Sequence, residues 1–294
     1  MRTRLLRSAF ISLLAASAVT ALVPAVASAA DPSQCRTSGT GGSAERLLPG
    51  RRLDSGASLI PTPGKTELVM QPDGNLVVYA LGNPGGPKLP LWHSGTYGNP
   101  GAYALMQEDG NFVVYKKDGG PQTGGALWHT ATYGAQADAY PSAVFMDNGL
   151  FEVTNSSKAW STRTGEQHAR VCASIPGRFQ EMWGQGYWAQ SASVWMVLQQ
   201  DNNLVMYRKR DGAAIWSSGT YGNRTPLVLQ MHEGGDLALL EWFEPDEVRW
   251  RTGTRGYYDA YALLQDDGNF VVYRADGGPG KGGALWASGT WYNV

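Results

Sequence analysis

Residues 71 to 79 alternate with a period of two. Gln71, Asp73, Asn75, Val77 and Tyr79 fall on one parity, and Leu76 and Val78 fall between them. That period is the signature of a strand with two unlike faces. The Asp73-Gly74 pair is also a hairpin signal, because a three-residue loop Asp73-Gly74-Asn75 places glycine where a positive φ is needed. An odd loop preserves parity, so Gln71, Val77 and Tyr79 share a face whether the strand runs on or folds back. The pattern predicts short strands joined by tight turns.

The same phrase recurs. Gln71-Pro-Asp73-Gly-Asn75-Leu-Val77-Val-Tyr79 returns as Gln107, Asp109, Asn111, Val113 and Tyr115, as Gln199, Asp201, Asn203, Val205 and Tyr207, and as Gln265, Asp267, Asn269, Val271 and Tyr273. Asn202 stands where the other three copies have glycine, and asparagine tolerates the left-handed region well. Two further copies read as decayed. One runs over 145–153, keeping Asp147 but carrying Phe145, Gly149 and Val153; the other runs over 230–240, keeping Gln230 with an extra residue.

A tryptophan follows each copy: Trp92, Trp128 and Trp160, then Trp216, Trp250 and Trp286, most of them leading into a Ser/Thr-Gly stretch such as Ser94-Gly95-Thr96. Repeats of about 35 residues, interrupted by the longer gap between Trp160 and Trp216, divide the chain into two groups of three. Residues 102–132 and 260–290 are nearly superimposable. Ahead of the repeats, Arg2, Arg4 and Arg7 precede an apolar run that ends in Ala27-Ser28-Ala29-Ala30. This reads as a secretory leader over 1–30, cleaved before Asp31, rather than a membrane anchor. The expected layout is therefore a leader (1–30), a first domain (31–168) and a second (169–294), with export to the extracellular space.

Composition narrows the class. With 38 Gly and 16 Pro, 43% hydrophobic and 17% charged residues, the chain has a core, many turns and too few charges for disorder. Its formal net charge of −1 becomes −4 when the leader's three arginines are removed. That argues against nucleic acid, which requires a basic footprint. Cys35 and Cys172 allow one bridge at most and have no metal-ligand spacing. His93, His129, His168 and His232 are scattered, and neither a Gly-x-Ser-x-Gly nor a His-Glu-x-x-His motif occurs. Catalysis, a cofactor and a bound metal are not expected.

The phrase carries more than turn chemistry. A turn has use for Asp-Gly, but none for a glutamine two residues earlier or a tyrosine further on. Two amides, a carboxylate and a phenol around a small apolar side chain match the mixed donors and acceptors of neighbouring sugar hydroxyls.

Gln-x-Asp-x-Asn-x-Val-x-Tyr, repeated up to three times per domain, resembles the hallmark of the bulb-type (monocot) mannose-binding lectins, and the resemblance covers nearly all of the mature chain. It implies an all-β chain of two tandem β-prism II domains. Each would have three four-stranded sheets around a pseudo-threefold axis, with the tryptophans at the centre. It also implies metal-independent binding of mannose, without a membrane span. Asp and Asn would hold the 2-hydroxyl, Gln the 3-hydroxyl and Tyr the 4-hydroxyl, with Val against the ring carbons. One cysteine near the start of each domain departs from the family's internal disulfide and leaves an interdomain Cys35–Cys172 bridge open. Exchange of the closing segment Trp286 to Val294 between domains, and a homodimer, are further expectations.

Two alternatives keep part of this reading. A lectin-like bacteriocin would dock on bacterial surface polysaccharide through the same phrases. A β-trefoil would also give threefold repeats, although units of about 35 residues are short for it.

Overall fold

The structure, a computed structural model, describes residues 43–134, 140–167, 169–172, 182–244 and 246–292. The expected leader and Cys35 lie outside them. Among the described residues there are 24 strands and no helix, arranged as six four-stranded antiparallel sheets.

In the first half, three short strands come first: β1 (Ala44–Leu47), β2 (Arg52–Leu53) and β3 (Ser58–Leu59). Three antiparallel triplets follow: β4 (Thr66–Met70), β5 (Leu76–Leu81) and β6 (Lys88–His93); β7 (Tyr103–Met106), β8 (Phe112–Gly120) and β9 (Gly124–His129); β10 (Ser142–Met146), β11 (Phe151–Thr154) and β12 (Ala159–Ser161). The leading strands lace the triplets together, since β3 edges the first, β2 the second and β1 the third.

The second half repeats the device. Its leading strands are β13 (Arg170–Cys172), β14 (Met182–Trp183) and β15 (Trp188–Gln190). Its triplets are β16 (Val194–Leu198), β17 (Leu204–Arg208) and β18 (Ala214–Ser217); β19 (Leu227–Met231), β20 (Leu237–Glu241) and β21 (Val248–Arg251); β22 (Tyr261–Leu264), β23 (Phe270–Gly278) and β24 (Gly282–Ala287). Here β15 edges the first triplet, β14 the second and β13 the third. The entering segment pairs one edge of each triplet and becomes the edge strand there.

Each half is a β-prism II built from one parity of its strands. Leu68, Met70, Leu76, Val78 and Ala80 point inward and are fully buried, as are their counterparts Met106, Phe112 and Val114. At the centre of the first half, Trp92, Trp128 and Trp160 meet pairwise edge-to-face with centroids 5.1–5.5 Å apart. Trp216, Trp250 and Trp286 form the same triangle in the second, at 5.4–5.9 Å. Three rings around one axis satisfy the aromatic preference for T-shaped contact. Trp286 pairs opposite Val272 within its own half and completes that triangle, so the expected exchange of the closing segment between halves does not occur at this residue.

The halves are in contact. Trp188 of the second half is fully buried, and its indole N–H donates to the carbonyls of Asn148 (3.2 Å) and Thr164 (2.9 Å) of the first. Cys172 is disulfide-bonded, and the sequence contains one other cysteine.

Candidate functional site

The phrase folds back on itself. The Gln71 N–H donates to the Asn75 carbonyl at 2.8 Å and the Gly74 N–H to the Gln71 carbonyl at 2.9 Å, so Gln71 ends one arm of the β4–β5 hairpin and Asn75 begins the other. Gly74 sits at φ +93°, and a Cβ there would lie 2.2 Å from the Asn99 carbonyl oxygen, so both backbone and space demand glycine. Asn202 adopts φ +72° and keeps the same turn, with its N–H on the Gln199 carbonyl at 3.0 Å.

Parity then gathers the polar set on the outer face. The Gln amide N–H donates to the Tyr hydroxyl in every intact copy, at 3.0 Å for Gln71–Tyr79, 2.8 Å for Gln107–Tyr115, 2.8 Å for Gln199–Tyr207 and 2.7 Å for Gln265–Tyr273. Asp73, Asp109, Asp201 and Asp267 are exposed. One oxygen of each accepts the backbone N–H of the following Asn at 2.9–3.0 Å, a local Asx turn. Val77, Val113, Val205 and Val271 are 2–4% exposed, so they floor the group rather than offering an open platform.

Asparagine is held from below by the Ser/Thr-Gly stretch that follows each tryptophan. Asn75 Oδ1 accepts from the Ser94 hydroxyl (3.2 Å) and the Thr96 N–H (3.1 Å), while the Thr96 hydroxyl donates to the Gly74 carbonyl at 2.6 Å. Thr130 and Thr132 hold Asn111 in the same way, Ser218 and Thr220 hold Asn203, and Ser288 and Thr290 hold Asn269. With Oδ1 occupied, the amide's NH2 end is the free one. The site therefore presents acceptors from Gln Oε1 and Asp Oδ2 and donors from Asn Nδ2 and the Tyr O–H.

Three features escaped the reading of the sequence. The first is a β-bulge in the pairing with the third strand of the triplet. It falls between Val78 and Tyr79, Val114 and Tyr115, Met206 and Tyr207, and Val272 and Tyr273, re-aiming the side chain next to it. The second is the partner opposite the phrase tyrosine: Tyr103 stacks on Tyr115 and Tyr261 lies against Tyr273, both pairs at 5.7 Å, with Arg52 and Arg170 over the outer rings. Burial pushes the Tyr115 and Tyr273 phenols above their ordinary range, keeping them as O–H donors. The third concerns the site at 199–207. Opposite Tyr207 stands Trp195, fully buried, and its ring would meet a Cβ on Gly82 of the first half at 3.0 Å. Trp195, beside Tyr207, thus packs against the neighbouring half, while Asp201 of the same site stays exposed.

Both decayed copies take a register other than the one their letters suggest. The Met146 N–H donates to the Leu150 carbonyl and the Leu150 N–H to Asn148 Oδ1, the bonds made elsewhere by Gln, Asn and Asp. The third copy thus runs Met146, Asn148, Leu150, Glu152 and Thr154, one residue beyond the expected alignment. The fifth begins at His232, whose N–H donates to the Asp236 carbonyl, and has no insertion; Gln230 belongs to the preceding strand, β19. Its positions are His232, Gly234, Asp236, Ala238 and Leu240. These positions line a cavity of about 560 Å³ together with Arg251 and Arg255.

Among the described residues no helix is long and apolar enough to cross a membrane. None of their His, Cys, Asp and Glu side chains gather in a metal-binding group of three or more.

No family model and no curated protein matches the chain. Solved structures do. A two-domain, fetuin-binding lectin from Scilla campanulata is 22% identical over 83% of this chain and 96% of its own, with a TM-score of 0.32. A monocot mannose-binding lectin from Gastrodia elata is 24% identical over 60% of this chain and 98% of its own, at 0.25. A lectin from Allium sativum is 30% identical over 39% of this chain and 96% of its own, at 0.29. Neighbouring solved structures thus include bulb-type monocot mannose-binding lectins, at low sequence identity.

Proposed function

We propose that this chain, built on the bulb-type fold, is a secreted lectin that takes mannose-containing glycans at four metal-independent sites in two tandem domains, 31–168 and 169–294. The observation that carries the reading is the recurrence of one set of free hydrogen-bonding atoms on one face. After each Gln–Tyr and Asn–Ser/Thr bond is made, two acceptors and two donors remain. Vicinal sugar hydroxyls each give one hydrogen bond and accept others, so Asp Oδ2 with Asn Nδ2 serves one hydroxyl, and Gln Oε1 and the Tyr O–H serve its neighbours.

A shallow site with a few such bonds binds at about the millimolar level, roughly −4 kcal/mol. Four sites on one chain can gain on the order of two decades on a dense glycan surface. Export is supported by the basic, apolar and small-residue segments of 1–30.

Calorimetric titration of the mature protein with methyl α-mannoside, chelator present and a galactoside as control, tests the reading. Saturable, chelator-resistant heat for the mannoside alone is expected. No heat for it or for oligomannose would overturn it.

A further inference from the structure

The residue that follows the clamp on asparagine varies in step with the phrase. It is Tyr97, Tyr133, Tyr221 and Trp291 in the four units whose phrase is intact, and Gly165 and Arg255 in the two whose phrase has decayed. All four rings are exposed, at 68%, 51%, 70% and 60%.

The clamp does not need them. In the fifth unit the Thr254 N–H donates to Asp236 at 3.0 Å and its hydroxyl to the Gly235 carbonyl at 2.6 Å. Thr96 makes the same two bonds at 3.1 and 2.6 Å, yet Arg255 stands where Tyr97 does. The aromatic is therefore a property of units with a complete polar set and not of the scaffold. Isolated exposed apolar side chains are ordinary on a protein surface, but four at one position, missing where the phrase is missing, are not scattered.

Their placement is fixed by the site. Tyr97 follows Thr96, which is bonded to Asn75, and precedes Asn99, whose N–H donates to the Asp73 carbonyl at 2.9 Å. Tyr221 is bracketed likewise by Thr220 on Asn203 and by Gly222, whose N–H donates to the Asp201 carbonyl at 3.1 Å. Beyond Tyr97, Gly98, Asn99 and Pro100 border a hollow of about 470 Å³ shared with Lys116, Lys117 and Asp118 of the next unit.

We propose that Tyr97, Tyr133, Tyr221 and Trp291 form a second subsite beside each phrase. There the ring face packs on the C–H face of the saccharide unit joined to the one the phrase holds. The phrase supplies direction through hydrogen bonds, and the ring supplies apolar contact at low entropy cost, since an aromatic side chain has two rotatable angles. The ligand class is an oligosaccharide of at least two units rather than a free hexose. This rests on the lectin reading above.

The test compares the unmodified protein with a variant carrying Tyr97→Ser, Tyr133→Ser, Tyr221→Ser and Trp291→Ser, titrated with methyl α-mannoside and with an α-linked mannotriose. A second variant with phenylalanine at all four positions keeps the ring. The serine variant is expected to weaken the trisaccharide about tenfold more than the methyl glycoside, while the phenylalanine variant retains most of the trisaccharide affinity. Equal losses for both ligands, or a trisaccharide bound no more tightly than the glycoside by the unmodified protein, overturn the subsite alone. Failure of the unmodified protein to bind either ligand overturns the lectin reading, and the subsite with it.

Discussion

The side-chain amide of Gln107 donates to the Tyr115 hydroxyl across 2.8 Å, and this one bond orients both ends of the site. It occupies the phenol's acceptor lone pair, turning the O–H proton outward, and it leaves Gln107 Oε1 as an acceptor. A carboxylate in place of the amide would reverse the bond, because it can only accept, and would draw the phenol proton inward. Replacing Gln71, Gln107, Gln199 and Gln265 together by glutamate is expected to weaken mannoside binding about tenfold or more, the scale of one lost and one reversed bond. Calorimetry would read this, and an unchanged affinity would show that the Gln–Tyr bond does not set the polarity of the site.

Asp109 and Asn111 should separate binding from folding. Asp109 is exposed and its one internal bond is to the Asn111 N–H, so Asp109→Ala removes a ligand for sugar at a stability cost of about 1 kcal/mol or less. Asn111 is 8% exposed, and its oxygen serves the Thr130 hydroxyl and the Thr132 N–H. Asn111→Ala leaves the buried Thr132 N–H unpaired, while the Thr130 hydroxyl keeps the Thr132 hydroxyl at 2.7 Å as a partner, a loss of about 1–3 kcal/mol. Urea unfolding of the two variants checks this; equal midpoints would mean the clamp carries no stability.

How far the sequence spoke for itself can be traced residue by residue. Parity placed Gln71, Val77 and Tyr79 on one face without deciding whether the strand folded back, and the face is as expected. That the tryptophans meet on a threefold axis follows from the family resemblance and not from their spacing, and the two edge-to-face triangles agree with it. The leading strands were silent: Arg52–Leu53 and Ser58–Leu59 are two residues each, too short for any period to show. The decayed copies hide their register, because Asp147 and Gln230 keep letters of the phrase at positions its turn does not use. Register is set by the backbone bonds of the turn, which any residue can make. Trp195 against Gly82 depends on how the halves meet, which no local pattern encodes.

Alkaline pH offers a test of the stacked tyrosines. Burial first raises the Tyr115 and Tyr273 phenols above 10.0, with the Gln hydrogen bonds opposing. A folded pKa above the unfolded one means that the fold favours the protonated form. Their contribution is thus fully present below about pH 10 and disappears as pH climbs through the raised folded values. Phenolate absorbance should show a late-titrating component that Tyr115→Phe with Tyr273→Phe shrinks to the part that buried Tyr261 contributes, and stability above pH 10 should fall less steeply in that double variant. A titration curve identical in both proteins would contradict the burial argument.

Asn202 makes the least intuitive prediction. It occupies a glycine position at φ +72°, and returning it to glycine would relieve backbone strain. Yet its side chain, 2% exposed at the level of the residue, has become a joint between two units of the second half. Its oxygen accepts from the Gln185 amide at 2.7 Å and the Leu227 N–H at 2.9 Å, and its NH2 donates to the Asn223 carbonyl at 2.6 Å and the Thr225 carbonyl at 3.1 Å. Asn202→Gly removes all four and strands the buried Leu227 N–H, a loss of about 1–3 kcal/mol. The relief of a left-handed residue, on the order of 1 kcal/mol, is smaller. The phrase's own consensus glycine should therefore lower the thermal midpoint, while Asn202→Ala, which loses the bonds and keeps the strain, should lower it further. A midpoint raised by glycine would show that the turn, and not the joint, decides this position.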